Sequence, residues 1–298
     1  MEMIGILKRQ TVIVLLFICF FPTMAVAQVD QFKLKQVLQD ANAGDISACA
    51  YLGKMYYEGT GVAQNYNEAF KWFQKAADKG IDDACAYLGK MYYEGTGVAQ
   101  NYNEAFKCFQ KAADNGVTGA YTWLGVMYYD GQGVAQNYEK AFLWTKKAAE
   151  NGAANAYVGL GVMYCKGQGV AKNSNEAFKW FQKAADNGVA SAFAYLGDMY
   201  YAGDGVAQNY NEALKWYQKA ADNGITTGIY YFLADMFYTG KTGITDYSQA
   251  KKYAELAIKN DTLDIVGHRI LAKLYMYGYA VEKNIDKAEA LIEQALAH

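Results

Sequence analysis

Ala48-Cys49-Ala50-Tyr51-Leu52-Gly53-Lys54-Met55-Tyr56-Tyr57-Glu58-Gly59-Thr60-Gly61-Val62 returns unchanged 36 residues later as the stretch from Ala84 to Val98. Its Leu-Gly centre recurs at Leu124-Gly125, Leu160-Gly161 and Leu196-Gly197 with the same step of 36, then as Leu233-Ala234 and Leu271-Ala272 after steps of 37 and 38. A fixed period of about 20–50 residues is the mark of a repeat architecture. Seven units therefore run to the C-terminus, and the last are atypical, as terminal repeats should be.

Within a unit the apolar spacing is helical. Ala48, Leu52 and Tyr56 fall at i, i+4 and i+8 and define helix A, with Gly53 leaving room for a neighbouring backbone. Gly59-Thr60-Gly61 ends it, because glycine accepts the left-handed conformation found at helix C-termini. Helix B starts at Asn65, whose side chain can cap free backbone N–H groups while Glu68 reaches back to the cap. The same pairing recurs as Asn101 with Glu104, Asn173 with Glu176, Asn209 with Glu212 and, in equivalent chemistry, Asp246 with Gln249. Ala69, Trp72 and Ala76 form its apolar stripe, and Gly80 ends it. Neither helix hides its apolar face alone, so stacking of units supplies the core. The expected fold is all-α, a right-handed α-solenoid of helix-turn-helix repeats at 45–80, 81–116, 117–152, 153–188, 189–224, 225–261 and 262–298. Residues 28–44 read as an N-terminal capping helix.

Lys8 and Arg9 precede an apolar run from Thr11 to Phe21 that is too short to span a bilayer comfortably, and Ala25-Val26-Ala27 has the small residues of a cleavage site. Residues 1–27 thus read as a signal peptide cleaved after Ala27, which places the chain in the periplasm or outside the cell with no later membrane span. The bulky Ile18 before Cys19 disfavours a lipoprotein signal. A net charge of −2 supplies no broad positive field, so nucleic acid is not an expected partner.

The pattern Ala48, Leu52, Gly53, Tyr56, Gly59, Gly61, Val62, then Tyr66, Ala69, Trp72, Ala76, Ala77 and Gly80, strongly resembles the Sel-1-like repeat family, a relative of tetratricopeptide repeats. The resemblance implies an adaptor that scaffolds protein complexes, often in the bacterial envelope. A cysteine-rich branch of the family is linked to β-lactam binding or hydrolysis and carries a regular Cys pair in each repeat. This chain departs from it, with only Cys49, Cys85, Cys108 and Cys165 after the export segment. Cys49 and Cys85 hold equivalent positions on adjacent stacked helices about 8–10 Å apart, beyond disulfide reach. Mostly buried free thiols are expected, with a bridge through Cys108 left open.

Ser248-Gln249-Ala250-Lys251 and Lys241-Thr242-Gly243 match S-x-x-K and K-T-G, fragments of penicillin-recognising sites. Their order is reversed and no S-D-N accompanies them. With His268 and His298 the only histidines, a histidine-based triad or metal site has almost nothing to draw on. We expect no catalytic residue, no metal ligand and no cofactor.

On helix A the arc opposite the core stripe is formed by the positions five and two before Leu52 and two, five and six after it. The plus-five row is Tyr57, Tyr93, Tyr129, Tyr201 and Tyr238, interrupted by Cys165. The plus-two row runs Lys54, Lys90, Val126, Val162, Asp198, Asp235, so this face should change sign along its length. Glu58, Glu94 and Asp130 lie beside it. Tyrosine offers a large apolar surface with a polar tip, suited to a peptide ligand, and the same row is open to a packing role against the next helix A. On the binding reading, Tyr93→Ala with Tyr129→Ala weakens partner capture without greatly lowering the melting temperature. A second aromatic row, Tyr51, Tyr87, Trp123, Tyr195 and Phe232, could stack on sugar rings, which keeps glycan or peptidoglycan binding open. The expectation is a monomeric, non-catalytic scaffold for a protein or peptide held in a concave helix A groove. The alternative is β-lactam binding or a β-lactamase-like activity.

Overall fold

The computed structural model describes residues 33–261 and 264–296. The proposed signal peptide at 1–27, the first residues of the 28–44 segment, and His298 lie outside the described residues. The described residues form fifteen helices, and no strand occurs among them. Helix α1 covers 33–43. Helix pairs follow as α2 (Ile46–Glu58) with α3 (Tyr66–Asp78), α4 (Asp82–Glu94) with α5 (Tyr102–Asp114), and α6 (Thr118–Asp130) with α7 (Tyr138–Glu150). The later pairs are α8 (Ala154–Lys166) with α9 (Ser174–Asp186), α10 (Ala190–Ala202) with α11 (Tyr210–Asp222), α12 (Ile229–Thr239) with α13 (Tyr247–Asn260), and α14 (Ile265–Tyr277) with α15 (Ile285–Leu296). The helices divide between Asn137 and Tyr138 into two compact units, α1–α6 and α7–α15. Within each unit, helix B packs on the helix A that follows it and, in the second unit from α9 onward, also on its own helix A, as α3 and α5 do in the first. This is the all-α helical-repeat solenoid fold.

The turn chemistry explains the boundaries. Gly59 ends α2 in the left-handed region at φ 74°, its N–H donating to the Met55 carbonyl. Asn65 then opens α3 by accepting the Glu68 N–H at 3.1 Å, and Asn173 and Asn209 repeat that bond on Glu176 and Glu212 at 3.1 Å. The reciprocal half of the expected capping box is absent at Asn65. Its N–H goes instead to the Tyr56 carbonyl at 2.9 Å, and Glu68 pairs with Lys71 at 2.7 Å. The helix A carbonyl already satisfies the amide, so the acid is released to the surface.

The core is wider than the expected stripes and partly shifted from them. On helix A the Met55 row is buried beside the leucines, with Met91, Met127 and Met236 at 0% exposure. On helix B the innermost side chain is Phe73, one residue beyond Trp72, and its equivalents Phe109, Phe181 and Tyr217 are equally sealed. Gly53 serves that ring. A Cβ there would lie 2.8 Å from Phe73 Cδ1, so the glycine admits the aromatic face of its own repeat's helix B, not a neighbouring backbone. The close backbone approach is made by the second loop glycine: a Cβ on Gly97, at φ 71°, would run into the Tyr66 carbonyl at the start of α3.

At the N-terminal end, α1 lays Ala41 against α2, where the Cys49 thiol donates to the Ala41 carbonyl at 3.6 Å. No described helix is long and apolar enough to cross a membrane.

Candidate partner-binding face

Tyr57, Tyr93, Tyr201 and Tyr238 of the plus-five row sit at the junctions between repeats, half-buried. In the first unit the Tyr57 ring meets Tyr66 at 5.4 Å and Tyr87 of the next helix A at 5.6 Å, both edge to face. Tyr87 in turn lies flat on Phe73, 4.5 Å away with an interplanar angle of 6°. One repeat on, Tyr93 contacts Tyr102 and Trp123, Trp123 stacks on Phe109, and the Tyr93 hydroxyl donates to Gln132 Oε1 at 2.5 Å. In the second unit Tyr201 is set in the same way among Tyr210, Tyr217 and Phe232, and its hydroxyl is hydrogen-bonded to Lys241. Tyr238 meets Tyr247 at 5.8 Å. The rows expected to line a ligand surface therefore also form the inter-repeat packing. The helix B tyrosines Tyr66, Tyr102, Tyr210 and Tyr247 belong to these clusters too. Sequence reasoning passed over them, although each directly follows its helix cap.

Lys54, Lys90, Asp198 and Asp235 each have a partner within their own unit. Lys54 lies 3.7 Å from Glu58 and Lys90 3.8 Å from Glu94, and Lys90 also sits 5.4 Å above the Tyr57 ring. The hydrogen bond with Tyr57 pushes the Lys90 ammonium above its ordinary value. Val126 and Asp130 are exposed on α6, and Tyr129 is half-buried. On α12, Asp235 forms a 2.8 Å bridge to Lys241. Asp198 on α10 accepts a 2.8 Å hydrogen bond from the Tyr217 hydroxyl. The change of sign suggested by the plus-two row is muted by these local partners.

Asp198 is an exposed residue whose carboxyl is drawn against the Tyr217 hydroxyl and so loses part of its hydration. This desolvation raises its carboxyl above the usual 3.8, against the Tyr217 hydrogen bond, which lowers it. The folded group thus binds its proton to higher pH than the unfolded one, so its stabilising contribution is present at low pH and is lost as pH rises through the folded value. Asp198→Asn should raise the melting temperature at neutral pH, and the difference from wild type should shrink toward about pH 4. A gap that stays constant across a pH series of melts would remove the carboxyl from the account.

The remaining motif residues are held by structural partners. Ser248 is exposed in the first turn of α13, Lys251 lies 3.8 Å from Glu255, and Lys241 is engaged by Asp235 and Tyr201. His268 is buried with Nδ1 2.8 Å from the Asp264 carbonyl. Cys49, Cys85, Cys108 and Cys165 are free thiols, the first two buried and the others half-buried.

A helical-repeat scaffold with an amphipathic, ring-braced helix A face is the class defined by this geometry. The family model described as Sel1 repeat matches residues 46–81, 82–117, 118–152, 154–189, 190–225, 230–261 and 266–298, and the chain belongs to the Sel1 repeat family. Among solved structures it is similar to a protective antigen present in uropathogenic Escherichia coli strains displaying an SLR fold. That match has 32% identity and a TM-score of 0.80, covering 89% of this chain and 56% of the antigen, so the chain spans little over half of that protein. It is also similar to a Sel1 repeat protein from Oxalobacter formigenes, with 34% identity and a TM-score of 0.64 over 76% of this chain and 99% of that one. The comparison with curated proteins returns no match. Proteins of the Sel1 repeat family are generally protein-interaction scaffolds.

Proposed function

We propose that the chain is a monomeric, non-catalytic scaffold that captures a protein or peptide on the helix A faces of its repeats, in the bacterial periplasm or outside the cell after cleavage behind Ala27. The helix at 33–43 caps the repeat array on this reading. The supporting observation is the double placement of Tyr57, Tyr93, Tyr201 and Tyr238. Their rings are clamped between repeats while they still border the surface, Tyr57 and Tyr93 on helices that also carry exposed Lys54, Glu58 and Glu94. A rigid aromatic surface with its rotamers already fixed loses little entropy on binding. A glycan is the second reading, favoured by Tyr51 and Tyr195, which are 44% and 38% exposed on the same side of helix A.

Because the tyrosines brace the repeats, they are poor probes of binding. Tyr93→Ala should lower stability by about 2 kcal/mol, since a partly buried ring loses part of the cost of a fully buried one. That reverses the outcome expected from the binding reading of the row alone. Lys54→Gln with Lys90→Gln removes both charges, together with the Lys90 contact to the Tyr57 ring, and should lower the melting temperature by only a few degrees. Peptides selected against the chain from a random library should lose at least about tenfold in affinity to this double variant, equivalent to about 1.4 kcal/mol. Selected peptides indifferent to both substitutions would place the binding surface elsewhere.

A further inference from the structure

In the second unit, the helix A ring three residues before the central leucine stacks on the helix B tryptophan of its own repeat. Tyr157 lies on Trp180 and Phe193 on Trp216, each with centroids 5.9 Å apart. Lys183 and Lys219 rest their ammonium groups over both rings of each pair, at 4.4–5.2 Å. In the first unit, the repeat formed by α4 and α5 has cysteine at both of those positions: Cys85 stands where Tyr157 does, and Cys108 where Trp180 does. Two rings are thus exchanged for two thiols, and a cavity of about 200 Å³ opens where they would have been. Leu88 and Tyr92 line it together with both cysteines. Lys111, the register equivalent of Lys183 and Lys219, lines the same cavity and donates to the Ala77 carbonyl at 3.3 Å.

We propose that this cavity binds Cu(I) between the Cys85 and Cys108 sulfurs as a linear, two-coordinate bis-thiolate. Soft thiolates select Cu(I), which is satisfied by two ligands, whereas zinc needs three or four from the protein. Cys85 and Cys108, which both line the cavity, supply those two ligands. Binding forms two S–Cu bonds and releases both thiol protons, leaving one negative charge beside the Lys111 ammonium; Lys107 is already paired with Glu104 at 2.7 Å. Burial, and then the neighbouring Cys85, push the Cys108 thiol up to about 11. From the sequence these were expected to be mostly buried free thiols with a bridge through Cys108 left open, and the fold places Cys85 and Cys108 on one cavity.

The test is Cu(I) transfer to the full, reduced chain from a chromophoric bicinchoninate complex under anaerobic conditions. Wild type should take up one tightly held Cu(I), with thiolate-to-copper absorption in the near ultraviolet. Cys85→Ser and Cys108→Ser should each weaken uptake at least about tenfold, and Cys49→Ser with Cys165→Ser should leave it intact. Cys85→Tyr with Cys108→Trp restores the ring pair of Tyr157 and Trp180; this variant should fold with an undiminished melting temperature and lose the tight site. Uptake by wild type no better than by that filled variant would overturn the proposal. So would a Cys85–Cys108 disulfide in peptide mapping, combined with no Cu(I) uptake after its reduction.

Discussion

Phe109→Ala should cost about 3–5 kcal/mol of stability, among the largest losses available to a single substitution in this chain. The ring is fully buried, lies flat against Trp123 at 5.4 Å, and fills the space left by Gly89. Truncating it opens a cavity whose walls are helix backbone and a stacked indole, neither of which collapses easily. The reciprocal change, Gly89→Ala, would put a Cβ 2.8 Å from Phe109 Cδ1 and should cost about 1–3 kcal/mol through overpacking. Because the two changes act on one volume, the double variant should be less destabilised than their sum by about 1 kcal/mol or more. Urea denaturation followed by circular dichroism on all four members of the cycle reads this directly. Strict additivity would mean that the glycine and the ring do not share the site.

Gly97→Ala should be comparably severe, for two reasons that add. At φ 71° an L residue carries strain of about 1–2 kcal/mol, and its Cβ would also strike the Tyr66 carbonyl, forcing a backbone shift worth about 1–3 kcal/mol. Gly116→Ala separates the two terms. That glycine is also left-handed, at φ 86°, but nothing lies within 4 Å of the added carbon, so only the conformational cost of about 1–2 kcal/mol should appear. Ala280, at φ 55° in the equivalent loop position of the last repeat, shows that the left-handed conformation by itself is tolerated. Since repeats are coupled mainly through neighbours, Gly97→Ala should also broaden the unfolding transition as the junction between α3 and α4 loosens. Equal losses for Gly97→Ala and Gly116→Ala would show that the carbonyl contact is unimportant.

The fold was legible because local rules and the period agree. Gly59 ends helix A and Asn65 opens helix B by short-range chemistry that needs no tertiary context. The same two events every 36 residues leave little choice but stacked helical pairs. The helix A arc was legible too, since its members follow from 100° of rotation per residue. Legibility stopped at side chains whose role depends on what another repeat places opposite them. Trp72 and Phe73 are adjacent and both aromatic, and periodicity within one helix does not say which ring goes under Gly53. Likewise, Tyr57 is both a surface and a packing residue because Tyr87 arrives from 30 positions away.

The sequence by itself determined the helices, their ends, the repeat and the family, because those rest on backbone capping and on a hydrophobic pattern written along one chain segment. Only the tertiary structure decided the rest: that the tyrosine row braces the junctions, that the acidic and basic rows are paired off locally, and that Cys85 and Cys108 face one cavity. The physical reason is that packing depends on volumes and partners brought together across helices. In a repeat array, two exchanged rings can open a site without disturbing the period that reveals the fold.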